Sequence, residues 1–240
     1  MDRQLAGVRP LCVRVQRIAD LDDAIRRLGV AFGRPVLVCV GGAGGLGDEH
    51  LAGTEKLLSK WVIPALEQWN VAVVDGGTDA GVMRVLGESY HSVAATFPLI
   101  GVVAAGTITG PDDDCSLSSD KVTLEAHHTH AVLVPGSKWG DESPWMSATA
   151  TAIAAGRPTA TLVINGGEIT YNDIALSVAA NRPVLVVGGS GRTADDIAGA
   201  TTGSGGDARS TALAKSPLVH VVHLADADGV LAALRQALLS

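Results

Sequence analysis

Six glycine-rich segments follow successive apolar runs of the chain, and they are the residues best suited to ligand chemistry. They are residues 41–45, 76–78, 106–110, 135–140, 166–168 and 188–193. Glycine lets backbone N–H groups approach a phosphate, and a helix that begins just beyond adds positive potential. One such segment is usually only a tight turn, whereas six at one edge of a sheet predict a binding site. No GxxxxGK[ST] loop or strict GxGxxG with a downstream acid is present, which disfavours ordinary P-loop hydrolysis and hydride transfer.

The residues predicted to contact the ligand all come from these segments. They are Gly41, Gly42, Gly76, Gly77, Thr78, Gly106, Thr107, Gly136, Ser137, Lys138, Trp139, Gly166, Gly167, Glu168, Gly188, Ser190, Gly191 and Arg192. Arg192 is either a bidentate clamp on a phosphate or carboxylate, or a solvent-facing arginine. Trp139 either stacks on a base or ribose or only packs its own loop.

A histidine cluster is the second group of residues that suits chemistry. Glu125 precedes His127, His128 and His130, and in an extended segment the last two share a face, which is spacing typical of metal ligands. Histidines at a strand entrance also bond loop carbonyls or a ligand, and that interpretation is favoured over a metal. The acidic run at 112–114 is expected in a solvated turn. The sequence therefore predicts no metal site.

These segments must be positioned by the apolar runs that precede them. Short runs without alternation are predicted as strands at 35–40, 71–74, 99–103, 131–134, 161–164, 184–187 and 219–222. Amphipathic stretches such as 57–69 and 148–155 lie between them. Apolar strands that alternate with helices are typical of a parallel sheet covered on both faces. The predicted fold is a single α/β domain, Rossmann-like and doubly wound with a mainly parallel sheet, over residues 35–240, after a lead-in strand and helix in residues 1–34.

Composition narrows the class of protein. Hydrophobic residues make up 47% and charged residues 18% of the chain, which excludes disorder. The net charge of −7, without a basic cluster, argues against nucleic-acid binding. The three scattered cysteines, Cys12, Cys39 and Cys115, form no CxxC pair and fit a reducing compartment. No membrane span or signal core is found, so a cytoplasmic protein is expected.

Three ordered blocks carry a resemblance to a known family. They are 74–83 (VDGGTDAGVM), 124–134 (LEAHHTHAVLV) and 183–195 (PVLVVGGSGRTAD), and with residues 38–42 they extend the match over about 35–198. The sequence resembles the SLOG superfamily, and within it the LSDAT branch, which bacterial proteins share with the cytosolic region of melastatin-type TRP channels. The resemblance implies a Rossmann-like fold and binding of nucleotide-derived ligands such as ADP-ribose or relatives of NAD.

The enzymes of that superfamily, the Lonely-guy phosphoribohydrolases, carry a PGGxGTxxE motif whose final glutamate is catalytic. The matching stretch keeps Gly166, Gly167 and Thr170, but Ile169 replaces the third glycine and Asp173 replaces the glutamate. A carboxylate shorter by one methylene changes the reaction geometry, which weakens the case for glycosidic cleavage. The carboxylates that remain candidates for catalysis are Asp173, Glu168 and Glu142.

Three functions are compatible with these observations. The first is binding or sensing of a nucleotide or nucleotide-sugar derivative by a homo-oligomer that requires no cofactor. The second is cleavage of the N-glycosidic or phosphoribosyl linkage of such a ligand by Asp173 with Glu168 or Glu142. The third is a structural homo-oligomer with a vestigial site. Ile169 and Asp173 favour the first function over the second.

Overall fold

A computed structural model describes residues 10–44, 47–109 and 121–240 of the chain. Gly45, Gly110, the acidic run at 112–114 and Cys115 therefore lie outside the described residues. Among the residues described, no helix is long and apolar enough to cross a membrane.

In the described residues, eight strands form one sheet in which every pair of neighbours is parallel. The strands are β1 (Leu11–Arg14), β2 (Val36–Gly41), β3 (Ala72–Asp75), β4 (Leu99–Ala104), β5 (His130–Val134), β6 (Thr159–Ile164), β7 (Val184–Gly188) and β8 (Val219–His223). Their order across the sheet is β1-β5-β4-β3-β2-β6-β7-β8. The predicted Rossmann-like α/β class and parallel sheet are confirmed.

Helices cover both faces of the sheet. They are α1 (Leu21–Arg27), α2 (Asp48–Leu57), α3 (Ile63–Gln68), α4 (Gly81–Ser92), α5 (Ser143–Ala154), α6 (Glu168–Ala179), α7 (Arg192–Thr202), α8 (Ala208–Ala214) and α9 (Ala227–Leu239). A π-helical turn, Leu58–Val62, joins α2 to α3 without a break. Helix α7 begins at Arg192, directly after Gly191 at its N-cap position, where the chain turns with a φ of 93°.

Two apolar layers pack on opposite faces of the sheet, because successive strand residues point to opposite sides. On β2, Val38 belongs to the layer under α1, α5, α6 and α7, whereas Cys39 belongs to the layer under α4 and α9. The lead-in segment is part of this arrangement: β1 pairs with β5 at one edge of the sheet, and Ile25 of α1 is buried in the first layer.

The strand order reverses between β2 and β6. From β2 the chain proceeds through β3 to β4 on one side, whereas β6 leads to β7 and β8 on the other. The loops that leave β2 and β6 therefore diverge and open a crevice at the carboxyl edge of the sheet. Ligands of open α/β sheets bind at such a switch point.

Candidate functional site

A cavity of about 490 Å³ lies at this switch point, above the ends of β2, β3 and β6 and beside the starts of α5, α6 and α7. Eight residues predicted as ligand contacts line it: Gly41, Gly42, Gly76, Thr78, Trp139, Gly167, Glu168 and Arg192. The predicted carboxylates Glu142 and Asp173 line it too. Five of the six glycine-rich segments thus contribute to the lining of this cavity.

The other predicted contacts lie off the cavity wall. They are Gly77, Gly106, Thr107, Gly136, Ser137, Lys138, Gly166, Gly188, Ser190 and Gly191. Their backbone groups serve the loops themselves in several cases: the N–H groups of Ser137 and Lys138 donate to the Asp141 carboxylate at 2.9 and 3.0 Å, and the N–H of Gly106 donates to the Gly136 carbonyl at 2.9 Å.

The remaining lining residues were not among the predicted contacts. They are Cys39, Val40, Ala43, Gly44, Met83, Met146, Ile169 and Thr170. Met83 and Met146 project from the first turns of α4 and α5, and each is less than a tenth exposed. In the sequence each methionine looks like an ordinary buried position of its own helix. Only the fold, which brings both helices to the same strand end, places them at the cavity.

Hydrogen bonds between the β6 and β7 loops fix the far wall of the cavity. Asn165, fully buried just after β6, donates its backbone N–H to the Ser190 hydroxyl at 2.7 Å. Its side-chain amide donates to the Ser190 carbonyl at 2.8 Å. Ser190 in turn donates to the carbonyl of Val187 at 2.6 Å. Ser190 is therefore a scaffold residue that holds the two loops together.

Arg192 bridges the mouth of the cavity. Its Nη1 donates a hydrogen bond to the carbonyl of Gly44 after β2, and its Nη2 lies close to Gly167 after β6, 3.1 Å from where a Cβ on that glycine would stand. The backbone of Arg192 has a φ of 52°, a left-handed conformation that non-glycine residues seldom adopt. Such conformations persist where the surrounding structure enforces them, and they cluster at ligand-binding sites.

Two carboxyl groups, those of Asp173 and Glu142, lie on the α5–α6 side of the cavity. Burial, reinforced by the Glu142 carboxylate and partly offset by the Ser143 hydroxyl, raises the pKa of Asp173 to about 7. Burial also raises the pKa of Glu142, although the N–H of Gly140 donates to its carboxylate at 3.0 Å. Close to neutral pH, the Asp173 carboxyl is thus able to take up or release a proton.

Glu168, the third predicted carboxylate, is engaged elsewhere. Arg209 of α8 donates to both of its oxygens at 2.6 and 3.1 Å, and this ion pair holds the pKa of Glu168 below its usual range. The side chain is 80% exposed at the rim of the cavity. This carboxylate is therefore less suited than Asp173 to proton transfer inside the cavity.

Two buried polar atoms of the lining have no hydrogen-bond partner within the described parts of the chain. They are Oγ1 of Thr78, a residue 1% exposed, and Oδ1 of Asp173, a residue 8% exposed. An unpaired buried polar group costs about 1–3 kcal/mol, so native structures seldom leave one without a purpose. Both residues line the cavity, so these two oxygens are unpaired polar atoms next to it.

The predicted histidine cluster lies behind the β3 loop, outside the cavity lining. His128 is buried between Asp75 and Glu125, whereas His130 begins β5 and contacts the Thr129 hydroxyl at 2.7 Å. The two rings therefore do not converge on one point. Within the residues that the structure describes, no three His, Cys, Asp or Glu side chains are grouped so as to hold a metal ion.

Solved structures share the fold at low sequence identity. One is the molybdenum cofactor carrier protein of Chlamydomonas reinhardtii, at 16% identity and a TM-score of 0.55, over 86% of this chain and 99% of that one. Another is the molybdenum cofactor binding protein of the phototrophic bacterium Rippkaea orientalis, at 10% identity and a TM-score of 0.53, over 85% and 96%. No curated protein matches the sequence.

The family comparison agrees with the motifs and with the site they build. Residues 34–233 match the family described as SLOG in TRPM, prokaryote, which is most of the chain. The matched region includes every strand from β2 to β8 and all residues that line the cavity. The chain therefore belongs to the prokaryotic LSDAT family of SLOG domains.

Proposed function

We propose that the protein binds a nucleotide-derived small molecule, such as ADP-ribose, NAD or AMP, in the cavity at the switch point. The observation that carries the proposal is the pairing of Arg192 with the glycine loops after β2 and β6 at the cavity mouth. A guanidinium beside exposed backbone at strand ends is suited to a phosphate, since it offers charge and directed donors together.

The inner part of the cavity supplies the contacts that a sugar and a base require. The unpaired oxygens of Thr78 and Asp173 accept hydrogen bonds from ribose hydroxyls or a base amine. Trp139 and the thioethers of Met83 and Met146 provide polarizable apolar surface for a flat ring. The names of the two solved relatives, both of which concern binding or carriage of a molybdenum cofactor, support a small-molecule cargo for this fold.

A thermal-shift panel followed by titration calorimetry tests the proposal. AMP, ADP-ribose and NAD are the probes, with adenosine as the phosphate-free control. A nucleotide at about one hundred times its dissociation constant stabilises the fold by about 2.7 kcal/mol. Adenosine should stabilise it much less, because it lacks the phosphate for Arg192. If none of the three nucleotides raises the melting temperature, the proposed ligand class is wrong.

The raised pKa of Asp173 favours a second candidate, cleavage of the N-glycosidic bond of the same ligand. A carboxyl that titrates near neutrality beside a second carboxylate is suited to general acid–base catalysis. The test is incubation with AMP, ADP-ribose and NAD, followed by chromatography for free base. Release that disappears in Asp173→Asn supports the enzyme, whereas release that persists in the variant points to a contaminant or to Glu142.

The proposal also includes a cytoplasmic homo-oligomer that needs no resident cofactor, as the sequence predicts. Light scattering of the purified protein measures its mass in solution, and a monomer of 24.4 kDa would contradict the predicted assembly.

A further inference from the structure

A chain of buried polar contacts lies directly behind the β3 loop of the candidate site. Nε2 of His128 is 2.7 Å from Oδ1 of Asp75, and its Nδ1 is 2.7 Å from Oε2 of Glu125. The three residues are 3%, 0% and 2% exposed. Oε1 of Glu125 is 2.6 Å from Nδ1 of His127, whose ring stacks on that of His91 at 4.5 Å. Both ring nitrogens of His128 face carboxylate oxygens, so this ring donates two hydrogen bonds as an imidazolium.

The same two carboxylate residues hold the loop that reaches the cavity. Oδ1 of Asp75 accepts the N–H of Gly77 at 2.8 Å, and the N–H of Glu125 donates to the carbonyl of Gly77 at 3.0 Å. Gly77 is pinned from both sides in a left-handed conformation with a φ of 63°. Its neighbours Gly76 and Thr78 line the cavity. The orientation of the Thr78 hydroxyl therefore depends on contacts that end at His128.

We propose that His128 is a positioning residue for the candidate site: by bridging Asp75 and Glu125 it fixes the loop of residues 76–78 in the shape that presents Thr78 to the ligand. The inference rests on the proposed function only where it predicts a change in nucleotide affinity. The effect of His128 on the loop of residues 76–78 is measurable without a ligand. His128 itself does not line the cavity.

The surrounding charges keep the bridging ring protonated. Burial lowers the pKa of His128, but the carboxylates of Asp75 and Glu125 outweigh burial and raise it to about 9. Burial raises the pKa of Glu125, yet the hydrogen bonds from His128 and His127 leave it below its usual range. Three groups on other elements interact with this network: Arg84 of α4 with Glu125, the ring of His91 of α4 with that of His127, and Cys39 of β2 with Asp75.

The test compares His128→Gln with His130→Gln. His130 belongs to the same motif, but its ring nitrogen is 2.7 Å from the Thr129 hydroxyl and not from a carboxylate of this network, so its replacement controls for a general loss of stability. Hydrogen exchange at pH 7 is followed for the amides of Gly77 and Glu125, and for those of β6 and β7 as an internal reference. The bridging role predicts exchange about tenfold faster or more at Gly77 and Glu125 in His128→Gln alone.

A second variant and a spectroscopic readout keep the test decisive. If His128→Gln does not fold, Glu125→Gln removes one end of the bridge and should loosen the same amides. Nitrogen chemical shifts of the His128 ring should show both nitrogens protonated at pH 7.5 and a loss of this state near pH 9. A neutral ring at pH 7.5, or exchange that changes equally in all strands, overturns the positioning role.

Affinity for AMP and ADP-ribose separates the two proposals. Loss of the bridge should weaken both nucleotides about tenfold, whereas His130→Gln should leave them unchanged. If the wild type binds neither nucleotide but its loop amides respond as described, the proposed function fails and the role of His128 stands. If the wild type binds and His128→Gln matches it in both affinity and exchange, the role of His128 fails alone.

Discussion

Arg192 combines a strained backbone with a guanidinium at the cavity mouth. A left-handed conformation costs a non-glycine residue about 1–3 kcal/mol, and Arg192 adopts it at a φ of 52°. A glycine would remove that cost but also the guanidinium, which bonds the Gly44 carbonyl after β2. The strained backbone therefore indicates that the guanidinium, and not the backbone conformation, is the reason for an arginine at this position.

Arg192→Ala should weaken binding of AMP or ADP-ribose by about 1.5–3 kcal/mol, the range for a hydrogen bond to a charged group. Alanine has a similar backbone preference, so the loop should keep its path. Lys138→Ala is the matched control, because Lys138 is a predicted contact that lies outside the cavity lining. Titration calorimetry measures the affinity of both variants for AMP and ADP-ribose. An equal loss of affinity in the two variants would show that only the net charge of the protein matters.

Asp173 should make stability depend on pH. Its folded-state pKa of about 7 lies above the ordinary value of 3.8. Between those pH values the folded state binds more protons than the unfolded state, so the free energy of unfolding falls as pH rises towards 7. Asparagine at this position cannot ionise. Asp173→Asn should therefore stabilise the fold by about 1–3 kcal/mol at pH 8 and by little at pH 4.

Urea denaturation of Asp173→Asn at the two pH values measures this difference. The exposed Asp22 of α1 supplies a control, since Asp22→Asn removes a carboxylate that the fold leaves in solvent. A stability change for Asp173→Asn that is the same at pH 4 and pH 8 would show that the carboxyl does not titrate in this interval. A gain in stability with a loss of nucleotide affinity would identify Asp173 as a residue kept for binding.

At the scale of elements, the close approach of α4 to the β2 loop shapes the cavity. The N–H of Val82 donates to the Gly42 carbonyl at 3.1 Å, and a Cβ on Gly81 would stand 1.9 Å from that same oxygen. Gly81 also has a φ of 49°. Gly81→Ala should destabilise the fold by about 3 kcal/mol or more, since backbone must move.

Gly29→Ala is the control for Gly81→Ala, because it introduces the backbone strain of a left-handed alanine without a steric clash of the added Cβ. Gly29 has a φ of 77° but nothing within 4 Å of an added Cβ, so only the left-handed strain applies and the loss should be about 1 kcal/mol. Chemical denaturation of both variants provides the comparison. Equal losses would show that α4 moves away from Gly42 without cost, and the wall of the cavity would then be deformable.

The strands, the parallel sheet and the edge that carries the site follow from sequence pattern, because buried strands with glycine at their ends have a local signature. The strand order has no such signature. Gly106 and Lys138 follow β4 and β5, which lie away from the β2–β6 switch point, and neither lines the cavity. Trp139 and Glu142 follow β5 as well, yet they reach the cavity because α5 packs across β2.

Contacts between residues distant in the sequence also determine the partners of His128 and Glu168. The contact of His128 with Asp75 joins residues 53 positions apart, and that of Glu168 with Arg209 joins residues 41 positions apart. Neither partner is signalled by the local motif. Residue types thus predicted which side chains are capable of chemistry, while the fold determined which of them are already paired.

At the scale of the whole molecule, the lead-in segment and the family-matched region share one core. Leu21, Ala24 and Ile25 of α1 are at most 2% exposed, and they pack in the same apolar layer as Val132 of β5 and Ile153 of α5. β1 pairs with β5 along its whole length and covers that side of the strand. The described part of the lead-in segment, residues 10–34, therefore belongs to the same hydrophobic core as the strands and helices that follow it.

Deletion of residues 1–34 should consequently destabilise the protein severely. Each large aliphatic side chain buried by α1 contributes about 1.5–3 kcal/mol, and several such losses approach the 5–15 kcal/mol that holds a typical domain together. The truncated chain should bind a hydrophobic dye and lose cooperative unfolding, whereas the full chain should unfold cooperatively. Calorimetric scans of the truncated and the full chain measure this difference. A sharp transition in the chain of residues 35–240, at a temperature close to that of the full chain, would contradict this prediction. It would show that residues 35–240 fold independently and that α1 adds little to their stability.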